Sequence, residues 1–169
     1  LKTLKRPNVF PCSIAFAPDG RTLATGDSID GQIRLVDVAS GLERLVLKGH
    51  SGTVSSVAFA TGGQTLASSG NDATVRLWDI ATGKTTRILS GHTSLVNCVA
   101  FSPDGRFVAS GGRDRKVLLW NATTGRLLQT MTEVNDWVCL AFSPDSRTLA
   151  SSSGQDAVTI WDLATGKML

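Results

Sequence analysis

The sequence is short of charge, of cysteine and of long apolar runs. Charged residues make up 18% of its 169 positions and hydrophobic ones 41%, a globular balance rather than a disordered one. The formal net charge is only +3. Its basic residues are spread over the chain without a tight run, so a nucleic-acid surface is not implied. No apolar run approaches the roughly 18 residues of a membrane span, and no signal peptide is visible. The chain does not begin with Met and reads as a piece of a longer protein. The three cysteines, Cys12, Cys98 and Cys139, each fall three or four residues before a Phe. An odd number at matching positions is not a disulfide framework. Buried free thiols and a cytoplasmic, reducing location are expected instead.

Room for helices is also missing. Between His50 and His92 lie four short apolar runs, 54–60, 65–69, 74–80 and 85–89, separated by turn residues. Each run has strand length and each gap is too short for a helix, which predicts a four-stranded antiparallel meander. The unit repeats. Phe16, Phe59, Phe101 and Phe142 are 43, 42 and 41 residues apart, and Val36, Trp78, Trp120 and Trp161 are 42, 42 and 41 apart. Gly41, Gly83, Gly125 and Gly166 keep the same spacing. A period near 40–45 with Gly-His and Trp-Asp marks is the signature of a propeller blade.

These marks resemble the WD-repeat family, in four copies covering almost the whole chain. The resemblance implies an all-β fold, a β-propeller segment of four four-stranded antiparallel WD-type blades. The repeats are placed at 7–48, 49–90, 91–132 and 133–169, the last with an incomplete outer strand. Residues 1–5 have the pattern of an outer strand from a preceding blade. The first repeat has Val36 for Trp, and its turn from Asp27 to Asp30 carries an extra residue. The third has Asn121 after its Trp, and the fourth lacks Gly-His.

In the family a His, a Ser or Thr, an Asp and the Trp form a hydrogen-bonded chain across each blade. Carried over by position, this implies His50, Ser68, Asp72 and Trp78 in one repeat and His92, Ser110, Asp114 and Trp120 in the next. Buried indole and imidazole nitrogens need such partners. The first repeat offers Thr25 and Asp30 without His or Trp. The fourth offers Ser151 and Trp161, with Gln155 at the Asp position and Asp156 one residue late. Complete chains are therefore expected only in the middle repeats, with the outer two held more by apolar packing. A Ser, a His and an Asp also suggest a hydrolase. Their recurrence in two repeats and the absence of a G-x-S-x-G elbow argue against one catalytic centre.

Other motifs reduce to turns. Gly83, Lys84 and Thr85 lack the upstream glycine of a phosphate loop, because position 78 is Trp. Asn121, Ala122 and Thr123 form a glycosylation sequon without a secretion signal to support it. His50 and His92 lack a third metal ligand at suitable spacing. No metal, cofactor or catalytic residue is expected.

The family resemblance places a ligand-facing rim at the entrance of each first strand and just before the network Asp. Those positions are Phe10 and Cys12, then Thr53, Ser55 and Asn71, then Leu95, Asn97 and Arg113, and Trp137 in the fourth repeat. Aromatic residues and Arg are enriched at interface centres. The expected function is a non-catalytic interaction scaffold for proteins or peptides, without a membrane partner. The alternative is nucleic-acid binding through Arg113, Arg115 and Lys116. The Ser-Pro-Asp-Gly turns look like those of bacterial multidomain proteins, where such propellers are docking or sensing modules beside a kinase or nucleotide-hydrolysing domain. Four blades leave apolar flanks, so either further blades complete the ring or two copies close an eight-bladed one, with residues 1–5 supplying the missing outer strand.

Overall fold

The computed structural model of the chain describes residues 10–132, 138–152 and 158–169. Among them, every regular element is a strand. The first sheet holds β1 (Pro11–Phe16), β2 (Thr22–Asp27), β3 (Ile33–Asp37) and β4 (Glu43–Leu47). The second holds β5 (Val54–Phe59), β6 (Thr65–Gly70), β7 (Thr74–Asp79) and β8 (Thr85–Ser90). The third holds β9 (Val96–Phe101), β10 (Phe107–Gly112), β11 (Lys116–Asn121) and β12 (Leu127–Thr132). The fourth holds β13 (Cys139–Phe142), β14 (Thr148–Ser152) and β15 (Val158–Asp162). Each sheet is an antiparallel meander in chain order. In the fourth, Met168 makes an antiparallel bridge to Trp161, where an outer strand would begin.

Turn chemistry explains the register. The first hairpin of each blade needs a left-handed residue, supplied by Gly20, Gly63 and Gly105 at φ of 67°, 71° and 73°. Ser146 takes that place in the fourth blade at φ 59° and carries the strain of a side chain there. Its hydroxyl repays this by accepting the Asp104 N–H of the third blade at 3.1 Å. The Asp that follows each Trp works in another turn. Asp79 accepts the Thr82 N–H and hydroxyl, both at 2.7 Å. Asn121 accepts the Thr124 N–H at 2.8 Å in the same way, so the sequon side chain is spent on its own turn. Asp37 and Asp162 repeat the device with Ser40 and Thr165.

The cores lie between blades rather than within them. Ile33, Leu35 and Leu47 of the first blade meet Val54, Val57, Leu66 and Trp78 of the second. Val75, Leu77 and Leu89 meet Val96, Val99, Val108 and Trp120, and Val117, Leu119 and Met131 meet Val138, Leu149 and Trp161. Trp78, Trp120 and Trp161 therefore each fill the joint with the preceding blade, and these three are buried. The innermost strands are stitched as well. The Val57 N–H donates to Ser13 Oγ at 3.0 Å, the Val99 N–H to Ser56 Oγ at 3.3 Å, and Asn97 Nδ2 to the Val138 carbonyl at 2.6 Å.

The thiols correct one expectation. Cys12 and Cys139 are exposed as residues and Cys98 is partly covered; the Cys12 thiol still reaches the Val54 carbonyl of the second blade. The Cys98 sulfur itself lies against the third core, and burial pushes its pKa up to about 12.

Candidate interaction face

In the second blade the polar side chains connect in series. Trp78 Nε1–H donates to Ser68 Oγ at 2.7 Å, and Ser68 Oγ lies 2.7 Å from His50 Nε2. His50 Nδ1 lies 3.0 Å from both oxygens of Asp72. A carboxylate can only accept, so the Nδ1 carries the proton and Nε2 takes the serine hydroxyl's. Burial lowers the His50 pKa, against the pull of Asp72, and keeps the ring neutral. Burial pushes Asp72 upward, but hydrogen bonds from Thr74, His50 and Ser51 outweigh it and leave its pKa lowered. Asp72 thereby ties the Gly-His loop, through the Ser51 N–H at 3.1 Å, to the turn between β6 and β7, through the Thr74 hydroxyl at 2.8 Å.

The third blade repeats this. Trp120 donates to Ser110 at 2.9 Å, Ser110 lies 2.9 Å from His92 Nε2, and His92 Nδ1 lies 2.9 Å from Asp114. The Thr93 N–H donates to Asp114 at 2.9 Å. Burial lowers the His92 pKa, and Asp114 is lowered because its hydrogen bonds outweigh burial. Gly70 and Gly112 make room for the rings: a Cβ there would sit 2.7 Å and 2.6 Å from an imidazole Nδ1. Ser68 and Ser110 are fully buried under the indoles, which leaves neither hydroxyl open to a substrate.

The first blade differs from the expectation of apolar packing, while the fourth holds the Trp–Ser pair that its sequence offers. In the fourth, Trp161 donates to Ser151 at 2.7 Å; Gln155 and Asp156 lie outside the described residues. In the first, a different polar cluster appears around Asp27, which is 1% exposed. Asp27 pairs across from Pro11 as Gly70 pairs from Val54, so its side chain enters the space an imidazole takes in the next blade. It accepts the Phe10 N–H at 3.1 Å and the Ile29 N–H at 2.7 Å, and Arg34 lies 3.5 Å away. Arg34 also pairs with Asp30 and, at 3.5 Å, with Glu43. The signal was available: an Asp in the glycine place of a repeat that lacks Trp, with Arg34 at the position of Arg76.

The rim residues fall into two groups. Asn71 and Arg113 are exposed on the turns that Asp72 and Asp114 hold, and Phe10 is 56% exposed on the equivalent edge of the first blade. Matching backbone bonds fix the three places: Ser28 N–H to Phe10 O, Asn71 N–H to Thr53 O, and Arg113 N–H to Leu95 O, at 2.9–3.0 Å. Leu95 is half-buried beside Arg113. Four others are engaged in the fold. Thr53 Oγ1 donates to the Ser28 carbonyl at 2.7 Å and Ser55 Oγ to Asn71 Oδ1 at 3.3 Å. Asn97 bridges to Val138, and the Cys12 thiol donates to the Val54 carbonyl at 2.9 Å. Trp137 lies outside the described residues. Among the described residues no three His, Cys, Asp or Glu side chains converge on a metal position. No helix among them is long and apolar enough to cross a membrane.

Radially stitched meanders with a Trp–Ser–His–Asp series define WD-type propeller blades. Stretches 1–37, 41–79, 83–121 and 125–162 each match the family model for the WD domain, G-beta repeat, and the chain belongs to that family. Repeats of this family generally mediate protein–protein interaction and are generally non-catalytic. Comparison with curated proteins gives no match.

Proposed function

We propose that the chain is a cytoplasmic, non-catalytic docking module that binds a protein or peptide across the rim bearing Phe10, Asn71, Leu95 and Arg113. The observation that carries this reading is the position of Asn71 and Arg113, each one residue before a buried carboxylate that clamps its turn. A turn already fixed in the free protein has little backbone ordering left to lose on binding, which favours affinity. Phe10 and Arg113 supply residue types that anchor interfaces. Thr53, Cys12 and Asn97 support the rim through hydrogen bonds between blades, and Ser55 through one to Asn71 within its own blade.

Selection of peptides against the chain from a display library tests this. Phe10→Ala with Arg113→Ala lowers the affinity of a selected peptide at least about tenfold, since an anchor residue is worth about 2 kcal/mol or more, and leaves the denaturation midpoint nearly unchanged. Equal affinity for the variant and the parent contradicts the proposed rim. Arg115 beside Arg113 gives nucleic-acid binding its strongest support. Tight binding of a duplex oligonucleotide, falling steeply with salt, would favour that function instead.

A further inference from the structure

The joint between the third and fourth blades holds a depression of about 370 Å³ on the side of the first hairpins, within the size range of small-ligand sites. Arg106 and Phe107 line it from the third blade, and Ser146, Arg147, Asp162 and Leu163 from the fourth. The first joint has depressions in the same place, which share Thr22 and Ile80 and reach Gly63 and Gln64. Both sheets of that joint have four strands, so the hollow does not depend on the outer strand of the fourth blade. What differs is its chemistry. By position, Thr22 becomes Phe107, Gly63 becomes Ser146 and Gln64 becomes Arg147.

The Arg106 guanidinium lies over the Phe107 ring, 5.2 Å from its centroid. Arg106 and Arg147 are exposed, and among the described residues neither guanidinium makes a hydrogen bond or an ion pair. The nearby carboxylates serve their own turns. Asp104 accepts the Ser102 hydroxyl and the Arg106 N–H, and Asp145 accepts the Ser143 hydroxyl and the Arg147 N–H. Asp162, the one carboxylate of the lining, accepts the Thr165 hydroxyl and N–H, so the lining keeps a positive excess. Ser146 is 9% exposed and holds the left-handed backbone that glycine holds in the other blades. Its oxygen accepts the Asp104 N–H, and among the described residues no acceptor takes its own proton. A buried hydroxyl donor without an acceptor is uncommon.

We propose that this depression binds a small organic anion, with its carboxylate or phosphate between Arg106 and Arg147 and its apolar part on Phe107 and Leu163. The forked guanidinium suits either head, and the Ser146 hydroxyl donates to the same oxygens.

Amide chemical shifts of the full 169-residue chain, titrated with phenyl phosphate and with phenylacetate, test this. At least one of the two gives saturable shifts with a millimolar Kd, largest at Arg106, Phe107, Ser146 and Arg147, and the tighter one identifies the head. Benzyl alcohol, which lacks the charge, binds at least about tenfold more weakly, and Arg106→Gln and Arg147→Gln each weaken the anion by at least about tenfold, since a hydrogen bond to a charged group carries that much. Ser146→Gly, the residue of the other blades, also weakens it and leaves the circular dichroism spectrum unchanged. Phe10→Ala with Arg113→Ala has no effect, which separates this site from the rim. The absence of a saturable shift with either anion, or an unchanged Kd in both arginine variants, overturns the proposal. Inorganic phosphate binding as tightly as both aryl anions overturns it too, because the apolar part would then contribute nothing.

Discussion

His50 and His92 are the only two histidines of the chain, and both are buried between a serine and an aspartate. Their lowered pKa values make them a pH sensor of folding. The unfolded chain binds protons near pH 6.5 and the folded chain only below that, so the unfolded state holds more protons between the two values. The histidine contribution to stability is complete above pH 6.5 and is lost as pH falls through the folded pKa. Asp72 and Asp114 act lower: their contribution is complete above about 3.8 and fades as pH falls through their lowered values. Denaturation midpoints measured from pH 7.5 to 5 should fall. The fall should largely vanish in the His50→Gln, His92→Gln variant, because the chain has no other histidine. A fall of equal size in both proteins would place the titrating groups elsewhere. These residues were legible in the sequence because the resemblance is carried by the same four side chains at the same spacing. Asp27 was not, because the extra residue in its turn drew the alignment to Asp30.

At the scale of the element, alternation and turn residues were enough to place the strands. The runs expected at 54–60, 65–69, 74–80 and 85–89 appear as β5 to β8 with ends moved by a residue. What alternation does not encode is which face meets a neighbouring blade. Cys98 and Cys139 stand at matching register positions on the same side of their sheets, and only Cys98 has a following sheet packed on it. Nor does it encode a blade that solves the same burial problem with other groups. At the end of β2, Asp27 satisfies two backbone N–H groups and faces Arg34, in place of the Trp–Ser–His series. Asp27→Ala leaves those donors unpaired and should cost about 1–3 kcal/mol, the penalty for stranding buried polar groups. Arg34 keeps Asp30 and Glu43, which holds the cost below that of an isolated buried charge. Chemical denaturation of the variant reads this value, and a midpoint equal to the parent's would show that the cluster contributes nothing.

At the scale of the molecule, the repeat and the blade are out of phase. The matched stretch 41–79 starts with β4 of one sheet and ends with β7 of the next, so each repeat of the sequence couples two blades. The cores lie between blades for the same reason, and the rim turns, each held by a buried aspartate, inherit a fixed spacing from them. That arrangement is the basis for the proposed docking role. Its most direct test is amide hydrogen exchange of the chain with and without a peptide selected against it. The predicted result is protection on binding at Phe10, at the turns carrying Asn71 and Arg113, and at Thr53 and Leu95. The first-hairpin turns around Gly20, Gly63 and Gly105 should be unaffected. Protection confined to those first-hairpin turns, or to the outer strands β4, β8 and β12, would contradict it.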